Sequence, residues 1–166
     1  DSYEAAAAAI PPQVRDRISR FETLSPELKA MLVPWRSILI IALNNQAAMA
    51  ALDGESFESG LAAINEALVV AANAPELIDT KAMLYLSAGE PAKAVDESMR
   101  AVMVAPRRLE FKLTLAKAYA ANGNLAGAIE LAGEILRANT MQPMPDNTLA
   151  EKVSAFIEGL QANDAG

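Results

Sequence analysis

The sequence predicts an all-α protein built from antiparallel helical hairpins stacked side by side, and three observations carry that expectation. Two stretches superpose at an offset of 34 residues: Ala82, Tyr85, Gly89 and Ala94 are followed 34 residues later by Ala116, Tyr119, Gly123 and Ala128. A fixed period in this range marks repeated supersecondary units that bury their apolar faces only by stacking. The strong helix formers Ala, Leu, Glu, Lys and Met dominate, whereas alternating runs of strand formers are scarce. Aromatic residues make up only 5 % of the chain while apolar residues make up 52 %, so the core is expected to be thin, with small side chains letting helices approach closely.

The elements follow in order. Tyr3–Ile10 is Ala-rich and stops at Pro11-Pro12, which predicts a short first helix. A second is predicted over Pro12–Thr23, with Val14, Ile18 and Phe21 on one face. Ser25-Pro26-Glu27 is a helix start, with Ser as N-cap and Pro in the first turn. That third helix is expected to end before Val33-Pro34, because a residue preceding proline disfavours the α region. Residues 1–34 are therefore expected to form an N-terminal helical cap. Trp35–Leu52 and Ser56–Ala72 form a hairpin through the Asp53-Gly54 turn; Trp35 is expected to wedge between cap and hairpin, an interface anchor being the alternative. Ile78–Ala88 and Pro91–Val104 form the next pair, and Leu109–Ala121 and Leu125–Ala138 the third, closed by Gly89-Glu90 and by Asn122-Gly123-Asn124. Three hairpins thus occupy residues 35–142. Thr140–Asp146 is a linker in which Met141 and Met144 are expected to pack the last helix onto the third hairpin. Thr148 through Glu151 form a capping box opening that helix, which runs to about Gln161; residues 143–166 make a C-terminal cap with a frayed tail over Asn163–Gly166.

Charge narrows the function classes. The net charge is −7, and no segment is strongly basic: residues 75–108 balance five cations against five anions, and 109–142 three against three. A phosphate backbone requires a basic face, so nucleic acid is not expected as a partner. Cysteine and histidine are both absent, which removes the thiolate nucleophile, the thiolate metal site, the commonest general base and the commonest transition-metal ligand. Absence of cysteine does not choose between cytoplasm and periplasm. The most apolar run, Ile38–Leu43, is far shorter than the ~20 residues of a spanning helix. With no initiating Met and no leader pattern at Asp1, the chain is expected to be a piece of a longer protein.

At these residues the chain resembles the tetratricopeptide repeat (TPR) family, whose 34-residue unit favours a small residue at position 8, Tyr at 11, Gly at 15, Ala at 20 and 27 and Pro at 32. A repeat starting at Pro75 gives Ala82, Tyr85, Gly89, Ala94, Ala101 and Pro106, matching all six positions. One starting at Leu109 gives Ala116, Tyr119, Gly123 and Ala128, then departs at Ile135 and Thr140. One starting at Ile41 gives Ala48, Ala51, Glu55, Gly60, Ala67 and Ala72, so only the small-residue positions fit. The resemblance covers about residues 36–142 and implies a right-handed α-superhelix with its A helices lining a concave face. Pentatricopeptide repeats would bring a basic RNA groove, and Sel1-like repeats extra glycines and a longer loop; neither pattern fits. The run from Pro75 to Val95 is also similar to repeats of large bacterial multi-repeat proteins.

In that family the concave wall is formed by positions 2, 5, 9, 12 and 13 of helix A. Carried over residue by residue, these positions imply a protein- or peptide-binding groove lined by Asn45, Met49, Leu52, Asp79, Met83, Leu86, Leu113 and Lys117. Met49 and Met83 stand one period apart, and their flexible thioethers either line an adaptable apolar groove or fill the gap between neighbouring helices. The family's carboxylate clamp for chaperone tails is not matched, since Asp79 would repel an anionic tail and only Asn45 and Lys117 are compatible. Glu130 and Glu134, one turn apart, are expected to be solvated; Asp96–Arg100 and Lys93–Glu97 are surface i,i+4 pairs, and Arg107-Arg108 solvated loop residues. No Gly-rich phosphate loop, GxSxG elbow or carboxylate constellation is present. The expected function is a non-catalytic interaction module or scaffold with a protein or peptide partner, without a metal or cofactor. The alternatives are a structural fragment of a longer solenoid mediating self-association as a homo-oligomer, and an accessory domain of a larger enzyme.

Overall fold

A computed structural model describes residues 2–54 and 56–164. Nine α-helices follow one another among these residues: α1 (Ser2–Ala8), α2 (Pro12–Ser19), α3 (Pro26–Asp53), α4 (Phe57–Val70), α5 (Pro75–Ser87), α6 (Pro91–Val104), α7 (Leu109–Ala121), α8 (Leu125–Thr140) and α9 (Asn147–Asp164). No strand occurs among the described residues. Helices α3 and α4, α5 and α6, and α7 and α8 pack as hairpins, while α3, α5 and α7 lie side by side in sequence, as do α8 and α9. Helices α1 and α2 pack on α3, and α2 also on α4.

Small residues make the hairpins possible. Ala94 and Ala128, at the same place in successive units, are completely buried, as are Ala67 and Ala101. The equivalent of Ala94 in the first hairpin is Gly60, where even a methyl group has no room: a Cβ there would lie 2.6 Å from the Ala50 Cβ and 2.9 Å from Leu84 Cδ2. The turns are equally specific. Gly89 and Gly123 adopt φ of 71° and 84°, and the amides of Glu90 and Asn124 donate back to the Tyr85 and Tyr119 carbonyls at 2.9 and 2.8 Å. This left-handed C′ residue with its six-to-one hydrogen bond closes each A helix and sets the hairpin angle. In the first hairpin Gly54 takes that conformation.

Several expectations are corrected. Helix α3 does not stop before Pro34 but passes through it as one 28-residue helix crossing from the cap into the first hairpin. Pro34 costs the helix the hydrogen bond to the Ala30 carbonyl, at a place where both residues are exposed. The second helix ends at Ser19 and is followed by a separate 3₁₀ turn over Phe21–Thr23. Trp35 is no wedge: it stays 43 % exposed. Asp146, not Thr148, caps the last helix, accepting from the Leu149 amide at 3.0 Å. The Asn139 amide side chain ties the linker down through paired bonds to the Asp146 backbone at 2.8 and 3.0 Å. Met141 and Met144 point away at 84 and 85 % exposure; Leu131, Ile135, Leu149, Val153 and Phe156 join α8 to α9 instead. The helix continues through Asp164, and the remainder of the expected frayed tail lies outside the described residues.

The surface pairs also differ from helix spacing. Glu97 reaches across to Lys81 at 3.2 Å and takes Arg100 at i,i+3, while Lys93 pairs with Glu90. Arg108 spans Glu76 on α5 and Glu110 on α7, at 3.3 Å each, and lies over the Phe111 ring; it is a clasp between units rather than a free loop cation.

Two substitutions test the packing. Gly60→Ala should destabilise the fold by ~1–3 kcal/mol, because the clash with Ala50 outweighs the ~1 kcal/mol gained in helix propensity. Ala94→Leu should cost a similar ~1–3 kcal/mol by overpacking α6 on α5. Urea unfolding followed by circular dichroism measures both, and wild-type stability in either variant would refute the assigned contact.

Candidate functional site

A cleft of about 560 Å³ opens where α5 and α7 lie side by side. Asp79, Met83, Leu86 and Ser87 come from α5; Glu110, Leu113, Thr114 and Lys117 come from α7. Leu149 and Lys152 of α9 form one wall, and Ala51 near the end of α3 contributes from the other side. The apolar floor follows from helix period: Met83 and Leu86 sit three apart on α5, and Leu113 faces inward from α7.

Asp79 sets the electrostatics of the floor. Burial pushes its carboxyl up to about 6, against hydrogen bonding from Thr114 and the nearby Arg108 and Lys117 cations, with the Glu110 charge adding to the rise. One of its oxygens, Oδ1, is buried without a hydrogen-bond partner. A carboxylate held this way lacks the water it would have in the unfolded chain, and its Oδ1, closed to solvent, meets a new donor only where the cleft opens around it. Lys117, Lys152 and Glu110 stand exposed at the rim, so the mouth carries charges of both signs around the apolar floor and Asp79.

Of the residues expected to form one groove, five line the cleft. Asp79, Met83, Leu86, Leu113 and Lys117 come together in the cleft, with Leu113 largely buried in the contact with α9. Asn45, Met49 and Leu52 do not line it. Met49 and Leu52 are exposed on α3, the latter by 74 %. Thr114, Leu149, Lys152 and Ala51 were not among the expected groove residues. The apolar spacing of Leu149, Val153, Phe156 and Ile157 marks α9 as amphipathic, which was the available signal that it packs back against α7 and α8.

The Asp79 shift has a stability consequence with a definite sign. The folded protein holds this proton up to about pH 6, whereas the unfolded carboxyl releases it near 3.8. Ionisation of Asp79 therefore weakens the fold as pH rises through that window; the penalty is complete above it and absent below. Asp79→Asn should raise unfolding stability at neutral pH by on the order of 1–3 kcal/mol and lose that gain as pH falls below the window. An equal gain at all pH values, measured by urea titration, would contradict the buried-carboxyl account.

No family model matches the chain, and no curated protein is similar to it at a significant level. Solved structures are similar in fold. The TPR domain of Sgt2 from Aspergillus fumigatus superposes with a TM-score of 0.60 at 16 % identity, over 76 % of this chain and 82 % of that one. The type III secretion translocator chaperone SycD of Yersinia enterocolitica superposes with a TM-score of 0.61 at 14 % identity, over 75 % of this chain and 84 % of that one. At such identities the likeness concerns architecture: the chain has the fold of a TPR-like helical solenoid.

Proposed function

We propose that the protein is a non-catalytic interaction module that receives a protein or peptide segment in the cleft between α5, α7 and α9. The observation that carries this reading is the pairing of an apolar floor, from Met83, Leu86 and Leu113, with the partnerless Oδ1 of Asp79 beneath it. An entering segment supplies an apolar side chain for the floor, the flexible Met83 thioether moves to fit it, and that movement opens Asp79 to a hydrogen-bond donor. TPR-like neighbours that include a chaperone favour protein recognition over other uses of such a cleft. Helix A residues supply most of the lining, while α9, beyond the last complete hairpin, closes one side.

The test is affinity selection against a random peptide library displayed on phage, using wild type and a Met83→Glu, Leu86→Glu double variant. Neither side chain is fully buried, so the variant should keep its helical circular-dichroism spectrum. Wild type should enrich a peptide family that binds at least about thirtyfold more tightly than the variant does. Failure to enrich any peptide, or equal binding by a folded variant, would overturn the cleft as the recognition site.

A further inference from the structure

Helix α3 carries an apolar seam that neither the core nor the cleft uses. Met31, Trp35, Ile38, Ile41, Met49 and Leu52 recur in steps of three or four residues along one face, with Asn45 the polar member between Ile41 and Met49. Between Met31 and Leu52 these seven positions average 3.5 residues per step, the period at which one helix meets another along a continuous line. All six apolar side chains are exposed, from 43 % at Trp35 to 74 % at Leu52, whereas Leu32, Leu39, Leu43 and Ala50, on a face about 120° round the helix, are buried. Arg36 is the only charged residue between Lys29 and Asp53, and it turns away from the seam to donate to the Val70 carbonyl at 2.9 Å. An uncharged apolar line along a six-turn helix segment is not the surface of an ordinary solvated helix, which alternates apolar and charged faces.

We propose that this seam pairs with the same seam of a second copy, making the protein a homodimer through α3. Six large side chains at this exposure amount to on the order of 600 Å² of apolar surface, at the top of the ~300–600 Å² range of the largest patch on a monomer and close to the ~800 Å² each partner gives a stable interface. An identical helix offers the matching 3.5-residue spacing, and in an antiparallel twofold pairing centred between Ile41 and Ala42 the bulky Trp35 of one copy falls opposite the small Ala48 of the other. None of the six side chains lines the cleft, and Ile38 and Ile41, the positions tested below, lie about three turns along α3 from Ala51, the one α3 residue that does. The dimer therefore stands or falls separately from the proposed recognition site.

Sedimentation velocity on the full chain over a wide concentration range provides the test, with helicity monitored by circular dichroism. Wild type should sediment with twice the 17.6 kDa chain mass, and Ile38→Lys should weaken association about thirtyfold or more while leaving helicity intact. Because the chain has no cysteine, Ile41→Cys gives a second readout: under mild oxidation it should form a covalent dimer much faster than Val69→Cys, which places the thiol at an exposed position of α4. A wild type that stays monomeric at every concentration, a dimer indifferent to Ile38→Lys, or equal crosslinking at the two positions would each overturn the proposal.

Discussion

The architecture depends on how closely three helices meet at Gly60. There α4 touches both its own hairpin partner, through Ala50 of α3, and the next unit, through Leu84 of α5. A hairpin that could not close to this distance would hold its second helix too far out to reach the following one. The same position is Ala94 and Ala128 in the later units, each fully buried. Replacing bulk with proximity explains how a chain so rich in alanine and poor in aromatics builds a core: many short-range contacts replace a few large ones.

That core is divided along the stack. One block gathers side chains from α1 through α5, another joins α7, α8 and α9, and Ile78, Ala101 and Phe111 connect them through the middle unit. Polar contacts reinforce the junctions rather than the hairpin interiors. Arg15 forks onto Glu66 to hold the N-terminal helices against α4, and Arg108 clasps α5 to α7 beside the cleft. The cleft is therefore a by-product of stacking: its two principal walls keep their spacing because the repeat keeps it. Asp79 is the departure, a carboxyl whose burial no contact within the fold fully compensates. Such a residue weakens the scaffold once it is ionised.

Legibility in the sequence followed the repeat. In the hairpins α5–α6 and α7–α8 glycine turns and the 34-residue spacing agree: α6 and α7 have their expected bounds, whereas α5 begins at Pro75 rather than Ile78 and α8 continues to Thr140 rather than Ala138. The first hairpin matched the period only at small residues, and its continuation into the cap was hidden by Pro34, whose local preference lost to packing on both sides of it. Cleft residues on α5 and α7 were recoverable from repeat position alone, whereas Leu149 and Lys152 were not, since α9 belongs to no complete repeat. Burial of Asp79 and the exposure of α3 depend on which faces find neighbours, information that spacing along one helix does not contain.

The direct measurement is nuclear Overhauser contact across the first junction in the intact protein. Strong cross-peaks are expected from the Gly60 α-protons to both the Ala50 methyl and a Leu84 δ-methyl, because those carbons crowd the space beside the Gly60 Cα. A Gly60 signal that reaches Ala50 but not Leu84 would mean a hairpin that does not dock on the next unit, and the stacked architecture would be wrong.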